Sequence, residues 1–319
     1  MPLSWRVMLP LLLPGACSVA VPLAFALASA PAQGTGTDPT LPWVIAHRGA
    51  SAYAPENTVP AFELAAEQGA TFVEFDLSLT RDGHLVCLHD DTLERTTDVA
   101  QVFPGRGRLT GEGDSAARRW ALEDFTLADL KRLDAGAWFD PRFRGTRIPT
   151  FAETIDALLG RSGLFIELKS PERYPGIERL VLDGLARKGL DRPGAVAKTP
   201  VLIQSFTASS LEIFARELKT SLPIHFLFGA RDAATWVTPD GLARIRSIAT
   251  GISPEKTVVA ARPDAMRHAR ELGLLVTPYT FRAGAVSGFA DVRAEMAHYL
   301  QTLGVHGVIT DNPDQVPRR

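Results

Sequence analysis

Cysteine is nearly absent from this chain, which carries only 2 in its 319 residues, Cys17 and Cys87. Cys17 lies in a leader that is expected to be removed. That leaves Cys87 alone and excludes an intrachain disulfide even in an oxidising compartment. Cys87 sits in the apolar stretch LVCLH, where a small buried hydrophobe is the expected role. An excess of one charge is missing too. The 34 Lys and Arg balance 36 Asp and Glu, a formal net charge of −2. Nothing in that balance favours nucleic acid or an acidic membrane surface as a partner. No internal repeat of roughly 20–50 residues is present, which excludes solenoids and propellers.

Charge is absent altogether between Arg6 and Asp38. The runs VMLPLLLP and VAVPLAFALASA fill that gap. A positive start, an apolar centre and small residues at the end read as a signal peptide over residues 1–32. Cleavage after Ala30-Pro31-Ala32, before Gln33, avoids the proline that would follow a cut after Ala28-Ser29-Ala30. An uncleaved anchor is the alternative, because the apolar run exceeds about 18 residues, but Pro10, Pro14 and Pro22 interrupt it. LPGA before Cys17 is a poor signal for lipid attachment. The expectation is a periplasmic or secreted protein with a linker at 33–42 and no stable membrane insertion after cleavage. Oligomeric state leaves no signature.

What the chain does have is an ordinary globular composition, 45% hydrophobic and 22% charged. Short runs rich in Val, Ile, Leu and Phe fall near 43–46, 71–77, 164–168, 200–205, 223–228, 246–250, 274–278 and 305–309. Helical patterns such as TVPAFELAAEQG, TFAETIDALLG and GIERLVLDGLARKG lie between most of them, several ending at a glycine. Strands alternating with helices imply a parallel sheet, and eight of them imply a TIM (β/α)₈ barrel over residues 43–319. A doubly wound open sheet is the alternative. Two features break the alternation. Thr80-Arg81-Asp82-Gly83 reads as a hairpin turn leading to an extra strand in HLVCLHD. Residues 95–149 then form a long insertion between the second and third barrel strands, with one helix expected at 126–134. An excursion of that length is expected to be functional and to cover one face of the barrel.

Barrel chemistry sits at the C-terminal ends of strands, and several predicted strands end in polar groups. VIA runs into His47, Arg48 and Gly49. In FVEFDL, alternation puts Glu74 and Asp76 on one face and Val73, Phe75 and Leu77 on the other. LFIELK places Glu167 and Lys169 on one face likewise. Three convergent carboxylates cannot all stay ionised without a shared proton or a cation among them. Oxygen ligands of this kind select Mg²⁺ or Ca²⁺ over zinc. An ion-pair network with Arg48 and Lys169 is the competing reading. His47 and His89 each follow an apolar strand and would be structural if met alone. Beside an acidic cluster they become candidates for general acid and base. Arg48 and Lys169 would receive an anionic group. Cation, histidine pair and basic clamp together suggest phosphoryl-ester chemistry. Gly49 is expected to turn the chain away without crowding the metal.

Two longer stretches, AHRGASAYAPENTVPAF and VEFDLSLTRDGHLVCLHDDTLERTTD, closely resemble the glycerophosphodiester phosphodiesterase family. The resemblance continues through LDAGAWFD, IPTFAETID, FIELKSP, QSF, PYTFR and GVHGVITDNPD, and so spans about residues 43–315. It implies hydrolysis of glycerophosphodiesters to sn-glycerol 3-phosphate and an alcohol. It implies that His47 and His89 are the acid/base pair, that Glu74, Asp76 and Glu167 hold one divalent cation, and that Arg48 and Lys169 bind phosphate. Glu56, in PENT, is placed by the resemblance in the substrate-binding shell. In relatives, attack by the substrate's own glycerol hydroxyl through a cyclic phosphate is proposed; direct attack by water stays open here. His306 stands where an aspartate is usual.

Other functions remain to be weighed. A lysophospholipase D-type activity would use the same residues on lipid substrates. A glycosidase would use Glu74 and Glu167 as its carboxylate pair and need no metal. A binding protein that kept the barrel would have no reason to carry the whole constellation. His84, His225, His268, His298 and His306 are read as structural, and Trp138 and Phe139 as packing residues.

Overall fold

The computed structural model describes residues 42–111, 116–191 and 199–318. The expected signal peptide and all but the last residue of the expected linker lie outside the described residues. Among the described residues eleven strands occur in chain order: β1 (Trp43–Ala46), β2 (Phe72–Leu79), β3 (Leu85–Cys87), β4 (Arg108–Thr110), β5 (Ala117–Arg119), β6 (Gly163–Leu168), β7 (Val201–Ser205), β8 (Ile224–Phe228), β9 (Gly251–Pro254), β10 (Leu275–Val276) and β11 (Gly307–Thr310). Eight of them pair in parallel in the order β10-β9-β8-β7-β6-β2-β1-β11. Backbone N–H groups of His306, Ile309 and Phe281 donate to the carbonyls of Val276 (2.9 Å), Pro278 (2.9 Å) and Ile309 (3.0 Å) and close the seam. The architecture is a TIM barrel.

Side-chain parity decides what the barrel holds. Trp43, Ile45, Phe72, Phe165, Leu202 and Ile309 pack together inside it. Their neighbours Val44, Val73, Phe75, Leu164 and Ile166 face the helices in a separate, larger core. Continuing the inward parity toward the strand C-termini gives His47 after Ile45, then Glu74 and Asp76 after Phe72. It gives Glu167 and Lys169 after Phe165, Gln204 after Leu202, and Asp311 after Ile309. The interior is apolar at one end and ionisable at the other.

The outer helices form where the sequence signals them. Thr150 caps the helix Phe151–Leu158 in a reciprocal arrangement with Glu153. One of the expected barrel strands fails: residues 246–250 are not a strand. Leu242, Ile245 and Ala249 are buried at helical spacing, and the helix Pro239–Arg246 extends to Arg246. The strand is instead β9, GISP, whose glycine and proline hide it from a propensity reading. Gly251 is required there, since a Cβ would lie 2.3 Å from His225 Nε2.

Between β2 and β6 the chain builds the insertion. The hairpin turn forms at 80–83, with Gly83 at φ 80, and β3 pairs antiparallel with β2. A small second core of Leu93, Trp120, Leu122, Phe125 and Leu133 supports it, with the ribbon β4–β5 on its surface. The helix expected at 126–134 is only Leu127–Leu130. Asp134 ends the helical path by accepting from the N–H groups of Gly136 (2.8 Å), Ala137 (2.9 Å) and Gly145 (2.7 Å). Trp138 donates to the Ala135 carbonyl and meets Phe139 edge-on, but it is 41% exposed rather than packed into a core. Among the described residues no helix is long and apolar enough to cross a membrane.

Candidate active site

At the C-terminal mouth, Glu74, Asp76 and Glu167 each place an oxygen within 4.8 Å of the other two. All three are buried. They are there because β2 and β6 pair in register, Asp76 opposite Glu167. Their environments differ. Glu74 accepts from the Arg48 backbone N–H at 2.7 Å through Oε2, while its Oε1 is buried with no hydrogen-bond partner. Burial, reinforced by the charges of Asp76 and Glu167, pushes the Glu74 carboxyl well above its usual range. Burial raises Glu167 as well, with Lys169 working against the shift. Burial opposes the charge on Asp76 also, but Arg48, Lys169, His89 and the Asn57 hydrogen bond outweigh it and bring that carboxyl down to about 2.

The residues present therefore fit a metal. An orphaned carboxylate oxygen in a buried three-acid cluster is the donor set a hard divalent cation would satisfy. The ion pairs alone do not satisfy it, although they exist. Arg48 Nε lies 3.2 Å from Asp76, and Lys169 Nζ lies 2.8 Å from Glu167 and 3.9 Å from Asp76.

Beside the acids opens a cleft of about 210 Å³ lined by His47, Arg48, His89, Lys169, Phe206 and Arg282, among others. Each histidine is backed by a carboxylate. His47 Nδ1 meets Asp311 Oδ1 at 2.7 Å, and His89 Nδ1 meets Asp90 Oδ1 at 2.6 Å. In both cases Nδ1 is engaged and Nε2 is left for chemistry, the arrangement that fixes a ring for proton transfer. Asp311 and Asp90 both sit below the ordinary carboxylate range: burial raises them, but hydrogen bonds from the histidines prevail, together with the Arg95 hydrogen bond to Asp90 and the charge of Arg282 beside Asp311.

The backbone after β1 is unusual. Arg48 (φ 54) and Gly49 (φ 84) are both left-handed, which swings the Arg48 N–H onto Glu74 and its guanidinium into the cleft. The sequence leads one to expect Gly49 to turn the chain away without crowding the metal; the crowding it avoids is against the Ala61 backbone on the first helix, where a Cβ would come within 2.7 Å.

His47, His89, Arg48 and Lys169 line one cleft with Glu167, and Glu74 and Asp76 stand behind it. Glu56 stands one layer back, bound by Arg48 (2.9 Å) and by Arg95 through two bonds. Four participants escaped the sequence reading. Asn57, also left-handed at φ 57, donates to Asp76 at 2.7 Å and accepts from its N–H at 3.1 Å. The others are Asp311, Asp90 and Arg95. The parity of Ile309 and the repeated acid after His89 could have flagged two of these; Arg95 had no local signal. His306 is structural: its Nδ1 accepts from the Val276 N–H at 2.9 Å at the seam, at the opposite end of β11 from the cleft.

A barrel whose strand ends gather carboxylates, carboxylate-backed histidines and basic side chains around one cleft is a barrel enzyme. Comparison with known proteins specifies which. Residues 47–315 match the Glycerophosphoryl diester phosphodiesterase family, and the chain belongs to it. It is 35% identical over 298 residues to a glycerophosphodiester phosphodiesterase of Bacillus subtilis, covering 90% of this chain and 89% of that protein. It is 34% identical to one of Caldanaerobacter subterraneus, covering 85% and 94%. Among solved structures, an Oleispira antarctica phosphodiesterase in complex with the product sn-glycerol-3-phosphate superposes with a TM-score of 0.67 at 27% identity, covering 86% of this chain and 95% of that one.

Proposed function

We propose that the protein hydrolyses glycerophosphodiesters to sn-glycerol 3-phosphate and an alcohol, using His47 and His89 as base and acid beside a divalent cation held by Glu74, Asp76 and Glu167. The observation that carries this reading is the convergence of two carboxylate-backed histidines and two cations on a cleft that Glu167 lines, with Glu74 and Asp76 behind it. Arg48 and Lys169 bind the phosphate. An oxygen nucleophile, water or the substrate's glycerol hydroxyl, forms the new bond to phosphorus and gives its proton to His47 Nε2. The bond to the departing alcohol breaks, and the alkoxide takes a proton from His89. With water as nucleophile this step yields sn-glycerol 3-phosphate. With the glycerol hydroxyl it yields a cyclic phosphate, which a water then opens by attack on phosphorus. That water gives its proton to the now neutral His89, while the departing ring oxygen takes one from the protonated His47. His89 is assigned the acid because its side chain is 30% exposed against 13% for His47, which puts it at the mouth, where alcohols of different size leave. When bound, Mg²⁺ or Ca²⁺ supplies positive charge to oxygens that become more negative as phosphorus is attacked.

A cleft of about 210 Å³ is small beside typical ligand sites of about 300–1,000 Å³, which favours deacylated diesters over lysophospholipids. The apolar leader, charge-free after Arg6, supports an exported, periplasmic or secreted enzyme. The test is release of choline from glycerophosphocholine. Chelation with EDTA is expected to remove activity and Mg²⁺ or Ca²⁺ to restore it. His47→Ala is expected to lower kcat by about 10²–10⁴-fold. Full turnover after exhaustive chelation would sink the metal reading.

A further inference from the structure

Arg95 lies outside the cleft lining, yet its guanidinium touches both halves of the site. Nε and Nη2 donate to Asp90 at 2.5 and 3.0 Å, and Nη1 and Nη2 donate to Glu56 at 2.8 and 2.7 Å. Asp90 is the carboxylate on His89, and Glu56 is the carboxylate on Arg48. One planar cation therefore spans two acids that each orient a different group: the proton donor on one side, the phosphate-binding arginine on the other. Without it, two carboxylates would face each other with one countercharge fewer. A lysine could not replace it, because an ammonium is a point charge without the fork that meets two carboxylates at once.

Its backbone is well anchored although its side chain is 42% exposed. Leu93 is fully buried two residues earlier in the core of the insertion, and Thr96 and Thr97 are buried just after it. Thr97 Oγ1 donates to the Leu93 carbonyl at 2.6 Å. The guanidinium is thus held by the insertion and reaches back to residues set by β1 and by the strand end after β3. That geometry couples the insertion to the catalytic mouth.

We propose that Arg95 is a positioning residue that fixes His89 through Asp90 and Arg48 through Glu56, so that the insertion sets acid catalysis and phosphate binding together. The acid arm rests on His89 being the proton donor, as assigned above; the phosphate arm does not.

The test uses the metal-loaded full chain with Arg95→Gln, Arg95→Lys, His89→Ala and the Arg95→Gln/His89→Ala double variant, each checked for an unaltered fold by thermal melting. Two diesters are compared. Glycerophosphocholine has an alkoxide leaving group that needs a proton, and glycerophospho-p-nitrophenol has a phenolate that does not. Arg95→Gln is expected to lower kcat about 10–100-fold on the choline diester and about threefold or less on the nitrophenyl one, while raising KM for both. In the His89→Ala background the same change is expected to remove no more than about a further threefold from kcat. Arg95→Lys is expected to recover only part of the loss. Equal kcat losses on both diesters with additive losses in the double variant would overturn the proposal, since they would mark a general effect on the fold. If His89→Ala itself treats the two diesters alike, the acid assignment fails. Arg95 is then judged on KM alone, and an unchanged KM overturns it.

Discussion

At the level of single residues, the site rests on ionisable groups whose partners are far apart in the chain. His47 and Asp311 are 264 positions apart and meet at 2.7 Å. The Asp311 carboxylate also pairs with Arg282 at 3.1 Å, so it is held from both sides and in turn holds the imidazole. Replacing it with asparagine keeps the shape but permits the opposite tautomer, in which Nε2 carries the proton and cannot accept one. Asp311→Asn is therefore expected to lower kcat by about 10²-fold or more with KM little changed, measured on glycerophosphocholine near neutral pH. A large rise in KM with kcat intact would mean that Asp311 serves the binding of substrate instead. The sequence made His47, Glu74, Asp76 and Glu167 legible because each lies within two residues of an apolar strand and alternation tells which way it points. Asp311 obeys the same parity but has only the short GVIT before it. Asn57 and Arg95 lie on irregular backbone, where no periodicity applies.

Secondary-structure elements explain why these residues can meet. His47, Glu74, Asp76 and Glu167 each continue an inward row that begins with an apolar residue deeper in the barrel, whereas His89 follows the hairpin strand β3, which pairs only with β2. Strand pairing then sets neighbours side by side: Asp76 against Glu167 and Glu167 against Gln204. Where strand signals were long and apolar, as in β2, β6 and β7, their positions were readable. β9 was not, because its four residues include the glycine that admits His225 and the proline that ends the strand. The β1 end depends on a different element, the first helix, Val59–Glu67. Gly49 closes the turn against Ala61 on that helix with a left-handed backbone. A methyl there would face both backbone strain and a contact with main chain that cannot yield. Gly49→Ala is expected to destabilise the protein by roughly 1–3 kcal/mol and to lower activity further than the stability loss explains, since His47 and Arg48 directly precede the turn. Chemical denaturation alongside kcat/KM measures both. A variant of unchanged stability would show that the turn can open without cost.

For the whole molecule, the barrel is polarised between a charged mouth and a dry interior, and the buried acids Glu74 and Glu167 at the mouth respond to pH in the direction opposite to His225 inside. Inside, His225 is fully buried, stacked near Trp43 and Phe165, with Nδ1 against Ser253 and Thr277 and Nε2 unpartnered. Burial lowers its pKa to about 3. At the mouth, Glu74 and Glu167 are raised. A group whose folded pKa is raised contributes stability below its unfolded pKa and loses it as pH climbs through the folded value, so these acids weaken the metal-free protein as pH rises. For His225 the sign reverses. Below its unfolded pKa of about 6.5 the unfolded chain binds a proton that the folded chain refuses, so stability falls with pH until the folded value is reached. One such proton corresponds to a slope of about 1.4 kcal/mol per pH unit. Replacing His225 with leucine removes that proton, while the cost of repacking stays constant with pH. The stability difference between wild type and His225→Leu, from urea unfolding at fixed chelator, is therefore expected to shift in favour of the variant by about 1.4 kcal/mol for each unit from pH 6 to pH 4. Using the difference cancels the carboxylates at the mouth, which both proteins share. A flat difference across that range would mean that the imidazole finds a way to take a proton within the folded barrel.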